Sequence, residues 1–400
     1  MATSKILITC SKGIPPILKG ELLSLGAPMP SVTAAGVETE GTIDDTMKYN
    51  LFIRTGHRVL FLLEEFMAKD PDQMYKKVRA MVWEDYIHED GYICVTSAVD
   101  SPAIKDSRFA NVKLKDAIVD RMVERCGRRP DSGPERRGVV IHLYWKNERC
   151  CVYLDTSGEP LARRGYRKIP FKAPLQETLA AAVVLATGWH GVGTFINPMC
   201  GSGTLAVEAA LIALQRAPGL LRSNYGFMQV KGFNESSWRA LRTKARTMGK
   251  KSLSARIIAT DISPEAIKAA RHNATTAGVD QLIEFGVCEY AETPVPDGGG
   301  VVVINPEYGK RLGEAEALGE TYRGIGDYFK QTCKGYKGYI FTGNPDLAKK
   351  VGLKTKRRIP LFNSKIECRL LEYELYEGSK KLTNIKGPGL DAQAPGQEPV

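Results

Sequence analysis

Across the first 155 positions, apolar residues recur in short runs of two different periods. Residues 5–10 form an apolar run with strand character, and residues 13–24 place Ile17, Leu18, Leu22 and Leu23 on a helical period. A short apolar segment at 47–51 precedes a strand-like run at 58–64 through Val59, Leu60, Phe61 and Leu62. Residues 72–82 read as a helix through Met74, Val78 and Met81, and residues 92–97 alternate as a strand does. Val112, Leu114, Ile118, Val119, Met122 and Val123 draw an amphipathic helix over 112–125. Two strand runs, 139–145 and 151–155, flank a polar turn at 146–149. Helices interleaved with pairable strands predict an α+β region.

The pattern changes at 156–172, which is Gly-containing, basic and weakly periodic and reads as a linker or hinge. From 173 strands and helices alternate. Helices are expected over 175–187, 205–215 and 264–277. Strands are expected over 194–196, 256–260, 282–287, 301–304 and 339–342. Pro264 in a first turn and Gly278 just past the last one mark the clearest helix ends. Such alternation predicts a mostly parallel, doubly wound sheet. The last residues, 387–400, are rich in Gly, Pro, Ala and Gln and are expected to be disordered. No internal repeat is visible.

Composition narrows the class. The chain has 400 residues, 43% apolar and 25% charged, which suits two or three globular domains. Its apolar runs fall far short of the ~20 residues of a spanning helix, and the N-terminus has no long apolar region of a secretory signal. Nine scattered cysteines with no C-x-x-C suggest reduced intracellular thiols, a cytoplasmic protein and no zinc ribbon. Fifty-six Lys and Arg against 45 Asp and Glu give a net charge of +11, suited to a polyanionic partner. The basic residues cluster at 121–137, 163–172, 239–251 and 354–358. The first two groups are dominated by Arg, whose planar fork suits phosphate.

Four strand ends carry candidate chemistry. Gly201-Ser202-Gly203-Thr204-Leu205-Ala206 fits G-x-G-x-x-A between a strand and a helix, a turn that brings backbone close to a ligand at a helix N-terminus. No acidic residue stands about 20 positions on, where Ser223 to Gly226 lie, so a nicotinamide dinucleotide is disfavoured. No G-K-[ST] follows, so a P-loop is excluded. Asp261 ends the next strand, where a carboxylate can accept both hydroxyls of a ribose, and Glu289 follows the third. Asn305-Pro306-Glu307-Tyr308 follows the fully apolar strand 301–304. An Asn oxygen and a backbone carbonyl can accept from an exocyclic amine, and Tyr308 offers a stacking face for an extruded base.

The run Asn197-Pro198-Met199-Cys200-Gly201-Ser202-Gly203-Thr204-Leu205 resembles the D-P-M-C-G-S-G-T-L loop of the RlmL-type rRNA guanine-N2 methyltransferases. The resemblance continues through Arg164-Gly165-Tyr166-Arg167, residues 177–182, Ala217-Pro218-Gly219-Leu220 and residues 115–120, and covers nearly the whole chain except the tail. It implies a ferredoxin-like segment at 1–60, a THUMP RNA-binding domain at 61–155, a basic linker at 156–172, a Rossmann-like class I methyltransferase domain at 173–378 and a disordered tail at 379–400. It implies S-adenosyl-L-methionine as cofactor, held by Asn197, Met199, Cys200, Gly201, Ser202, Gly203, Thr204, Asp261, Ile262 and Glu289. Asn305, Pro306 and Tyr308 would orient the base, with no metal and no membrane involved. Lys113, Arg128, Arg129, Arg164 and Arg167 would meet structured RNA, 23S rRNA or a large-subunit assembly intermediate. Three positions differ from the family: Asn197 replaces Asp, Glu289 replaces Asp, and Glu307 replaces the second Pro of N-P-P-Y. Two other classes stay open. One is a non-catalytic rRNA-binding or ribosome-assembly factor with a degenerate methyltransferase fold. The other is a methyltransferase acting on tRNA guanine or on adenine in DNA.

Overall fold

Two sheets, one in each half of the chain, carry all the strands of the computed structural model, which describes residues 3–104, 106–171, 174–308 and 315–376. The tail at 379–400 lies outside the described residues, as does Lys172 of the second basic cluster.

The first half runs β1 (Ser4–Thr9), α1 (Pro15–Ser24), β2 (Ser31–Val32), β3 (Gly36–Gly41), α2 (Ile43–Phe52), β4 (Arg58–Met67), α3 (Pro71–Ala80), β5 (Tyr92–Asp100), α4 (Ser107–Cys126), β6 (Asp131–Ser132), β7 (Val139–Lys146) and β8 (Arg149–Asp155). Local chemistry sets the helix starts. Thr42 and Asp45 form a capping box on α2, and Asp70 caps α3 with Pro71 in its first turn. The strands form one eight-stranded sheet in the order β2-β3-β1-β4-β8-β7-β5-β6. The expected division at 60/61 therefore falls inside β4, which pairs with β1 on one side and β8 on the other. The ferredoxin-like and THUMP segments share one ladder, because cutting β4 would leave two rows of backbone groups unpaired.

The second half runs α5 (Glu177–Ala186), β9 (Thr194–Asn197), α6 (Thr204–Ala213), α7 (Glu235–Met248), β10 (Ile257–Asp261), α8 (Pro264–Ala277), β11 (Glu284–Val287), β12 (Gly300–Ile304), α9 (Ala315–Gln331), β13 (Tyr336–Thr342), α10 (Pro345–Lys350), β14 (Arg357–Asn363) and β15 (Ile366–Glu374). The sheet order is β11-β10-β9-β12-β13-β15-β14. The first five strands are parallel, and β15 pairs antiparallel with both β13 and β14. This is the class I methyltransferase fold. Val301 and Val303 face the core layer shared with α6, while Val302 and Ile304 face the layer under α9. Burial on both faces explains why β12 is apolar without alternation.

The segment at 156–172 corrects the expectation of a hinge. Thr156, Ser157, Arg164 and Tyr166 are each at most 1% exposed, and one core cluster runs from Ile6 in β1 to Leu370 in β15. Residues 156–166 are held between the two halves, with Thr156 bonded to Val59 O and Arg164 to Arg54 O and Glu208.

Candidate active site

Strand order reverses between β9 and β12, and ligands of doubly wound sheets bind beyond the carboxyl ends of strands at such a point. The loop after β9 is shaped by backbone angles. Met199, Gly201 and Gly203 all take left-handed φ, at 55°, 53° and 78°. For Met199 this is a conformation side chains rarely adopt, and it costs on the order of 1–3 kcal/mol. Cys200 N–H donates to Thr260 O at 2.9 Å, which ties the loop to the end of β10. Gly201 N–H donates to Asp261 Oδ2 at 2.9 Å, and Ser263 N–H donates to Asp261 Oδ1 at 3.0 Å. Each oxygen keeps a second lone pair. Gly203 precedes α6 with no side-chain cap, so the positive end of that helix faces the loop. Ser202 and Thr204 are buried, Ile262 is 66% exposed beside Asp261, and Glu289 is exposed after β11. Burial and the nearby Asp261 push the Cys200 thiol up, so it stays neutral and is no nucleophile.

The ends of β9 and β12 bring two asparagines together. Asn197, fully buried, donates from Nδ2 to Val303 O at 2.9 Å, and its Oδ1 has no partner. Asn305 Oδ1 is likewise buried without a partner. An unsatisfied buried acceptor costs about 1–3 kcal/mol, so two at one switch point mark a place prepared for a ligand's donors. Pro306 is buried, Glu307 is exposed, and Tyr308 is half-buried with its Oη accepting from Asn363 Nδ2 at 2.9 Å. Burial raises the Tyr308 phenol above its usual range, so it stays protonated.

These residues fit an adenosyl cofactor. A carboxylate with free lone pairs, an exposed apolar side chain beside it, a loop with open space at Gly201 and two buried acceptors supply what ribose, adenine and a donor group need. Among the described residues no cluster could hold a metal ion, and no helix is long and apolar enough to cross a membrane.

Asn273 was missed by sequence reading. It is fully buried in α8 and clamps the loop: Oδ1 accepts from the N–H groups of Lys168 and Ile169, and Nδ2 donates to Ile169 O and Ser202 O. The signal was a polar residue on a helix face otherwise made of Ala266, Ile267, Ala269, Ala270, Ala274 and Ala277.

The RNA-facing set needs correction. Arg164 is 1% exposed, with Nε 2.9 Å from Glu208 Oε1 and Nη2 donating to Arg54 O at 2.7 Å. It neutralises a buried carboxylate and is out of reach of RNA. Arg167 is also turned inward: it lies 3.3 Å from both Glu177 Oε2 and Thr204 Oγ1 and donates to Leu175 O. Lys113 bridges α4 to Asp72 and sits over the Tyr75 ring. Arg128 and Arg129 are exposed.

Comparison with known proteins follows the same outline. Residues 164–372 match the RMKL-like methyltransferase domain, residues 68–155 the THUMP domain and residues 5–60 the RlmL ferredoxin-like domain. The chain is 39% identical to the ribosomal RNA large subunit methyltransferase K/L of Syntrophotalea carbinolica. That match covers 94% of this chain but 54% of the other, so the chain spans about half its length. A protein named as a methyltransferase and crystallised with SAH superposes with a TM-score of 0.86 at 26% identity, covering 95% of this chain and all of the other. A Listeria monocytogenes protein named as an N6-adenine-specific DNA methylase superposes at 0.85, with 30% identity and coverage of 94% and 97%.

Proposed function

The chain belongs to the RMKL-like methyltransferase family with THUMP and RlmL ferredoxin-like domains, and we propose that it methylates N2 of a guanine in 23S rRNA, using S-adenosyl-L-methionine. The observation that carries the reading is the buried, partnerless Oδ1 of Asn305 at the switch point. The cofactor's sulfonium supplies an activated methyl group. Asp261 accepts the ribose hydroxyls, the Gly201–Thr204 turn covers the chain of the cofactor, and Ile262 and Glu289 flank the adenine. Asn197 keeps its donor on Val303 O, which leaves its Oδ1 as a free acceptor beside the cofactor loop. Asn305 Oδ1 and the Pro306 carbonyl accept the two N–H groups of the exocyclic amine, which leaves the nitrogen lone pair free to point away from them. Tyr308 stacks the extruded guanine. Rate enhancement comes from holding the reactants in near-attack geometry.

Glu307 is exposed, so its carboxylate is hydrated outside the buried pair of acceptors, which favours turnover over a degenerate fold. The RNA is 23S rRNA, free or in a large-subunit assembly intermediate, and the THUMP match supports RNA over DNA.

The test is transfer of labelled methyl into total RNA from a strain deleted for the gene, followed by digestion to nucleosides. Label in N2-methylguanosine is expected for the wild type. Asn305→Ala is expected to lose transfer by at least about 100-fold while calorimetry shows cofactor affinity within about two-fold, since positioning of the acceptor is what it removes. Unchanged transfer by Asn305→Ala would sink its assigned role.

A further inference from the structure

Tyr308 is gripped at the far end of its ring. Asn363, the last residue of β14, donates from Nδ2 to Tyr308 Oη at 2.9 Å, and the Cys368 thiol of β15 is a second polar neighbour of that oxygen. Gly343 lies against the ring edge: a Cβ built there would stand 3.2 Å from Tyr308 Cδ2. The hairpin that carries Asn363 turns through Ser364 in left-handed backbone, at φ 58°. It is backed by the other half of the chain. A Cβ at Gly13 would stand 2.2 Å from Pro360 O, and Lys12 Nζ lies 5.8 Å from the centre of the Phe362 ring.

We propose that Asn363 is a positioning residue for the acceptor base, fixing the direction of the Tyr308 ring axis from a hairpin that the N-terminal loop at 11–13 braces. The proposal rests on the stacking role given to Tyr308 above. A tyrosine ring attached only through its Cβ swings about two torsions. Its oxygen lies on the axis of the second torsion, so a bond there fixes the first while Gly343 against the ring edge limits the second, and the ordering cost is not borne in the complex. Because Asn363 donates, the phenol oxygen is the acceptor and the pair needs no charge. Bracing through Pro360 and Phe362 makes the RNA-binding half a structural support of the acceptor pocket.

The experiment is methyl-transfer kinetics on total RNA from the deletion strain, with wild type, Asn363→Ala, Tyr308→Phe, the double variant and Tyr308→Ala. Cofactor affinity by calorimetry and the unfolding midpoint are measured for each. Losing one neutral hydrogen bond should lower kcat about three- to ten-fold in each of Asn363→Ala and Tyr308→Phe, or about 0.6–1.4 kcal/mol at about 1.36 kcal/mol per decade, with cofactor affinity unchanged. The double variant should be no worse than either single one, since both remove the same bond. Tyr308→Phe leaves the hairpin untouched, so it reports on the bond even where Asn363→Ala unfolds. Independent, multiplicative losses overturn the proposal, as does wild-type kcat in Asn363→Ala or Tyr308→Phe while Tyr308→Ala is inactive. Wild-type transfer by Tyr308→Ala overturns the stacking role itself, and the lock with it.

Discussion

Gly201 and Gly203 stand two positions apart in one turn, yet a methyl group meets a different obstacle at each. At Gly203 a Cβ would lie 2.8 Å from Ala270 Cβ in α8, and φ is +78°. At Gly201 φ is +53° but the Cβ would meet open space, the space assigned to the cofactor. Left-handed backbone alone costs a side chain about 1–2 kcal/mol. Gly203→Ala is therefore expected to lose about 2 kcal/mol or more of stability by urea unfolding, because loop and helix must separate. Gly201→Ala should lose about 1 kcal/mol and show its larger effect as weakened adenosylmethionine binding in calorimetry. Equal unfolding midpoints for the two variants would mean the loop relaxes freely. The G-x-G-x-x-A letters announced a tight turn, but which glycine faces a helix and which faces a ligand depends on where α8 packs.

Between elements, the buried ion pairs act as keys. Arg164 from the connecting segment meets Glu208 of α6 and the backbone of Arg54, while Glu21 of α1 accepts from the backbone N–H groups of Arg54 and Thr55. Burial raises the Glu208 and Glu21 carboxyls, and Arg164 is the largest opposing influence on Glu208. Removing one partner of such a pair leaves an uncompensated buried charge at about 3–5 kcal/mol. Arg164→Ala should lower the unfolding midpoint accordingly and leave the salt dependence of RNA binding unchanged; a reduced salt slope in a folded variant would return Arg164 to the RNA interface. Six helices were legible here, α8 down to Pro264 and Gly278, because caps and periods are local, whereas α2, α7, α9 and α10 were not expected. The β14–β15 hairpin was not. β14 is an edge strand bearing Arg357, Arg358 and Pro360, residues that guard an edge against pairing and break the alternation that marks a strand.

For the whole molecule, the charge of +11 has to be divided between structure and surface. Arg164 and Arg167 belong to the interior, whereas Arg128 and Arg129 follow α4 in the open. A variant with both Arg128→Ala and Arg129→Ala should weaken RNA binding and flatten the plot of log affinity against log salt by about 2, roughly one unit for each phosphate no longer neutralised. Fluorescence anisotropy over a salt series measures this, and an unaltered slope would remove these two residues from the interface.

The strand–helix alternation up to β12, the glycine turn, Asp261 and the Asn305–Tyr308 motif were written in residues close together in the chain, since periodicity and turn chemistry act over a few positions. Tertiary structure alone decided what those residues do not encode locally. It paired β4 with both β1 and β8 across the expected division at 60/61, packed most of residues 156–167 of the apparent linker into the interior, and took Arg164 from solvent into an ion pair. It also brought Asn197 against β12, Asn273 against residues 168–169, and Asn363 against Tyr308. Each of these pairings joins residues far apart in the chain, 106 positions for Asn197 and Val303, or fixes which face of an element is covered. That depends on how the two sheets pack, and no local pattern carries it.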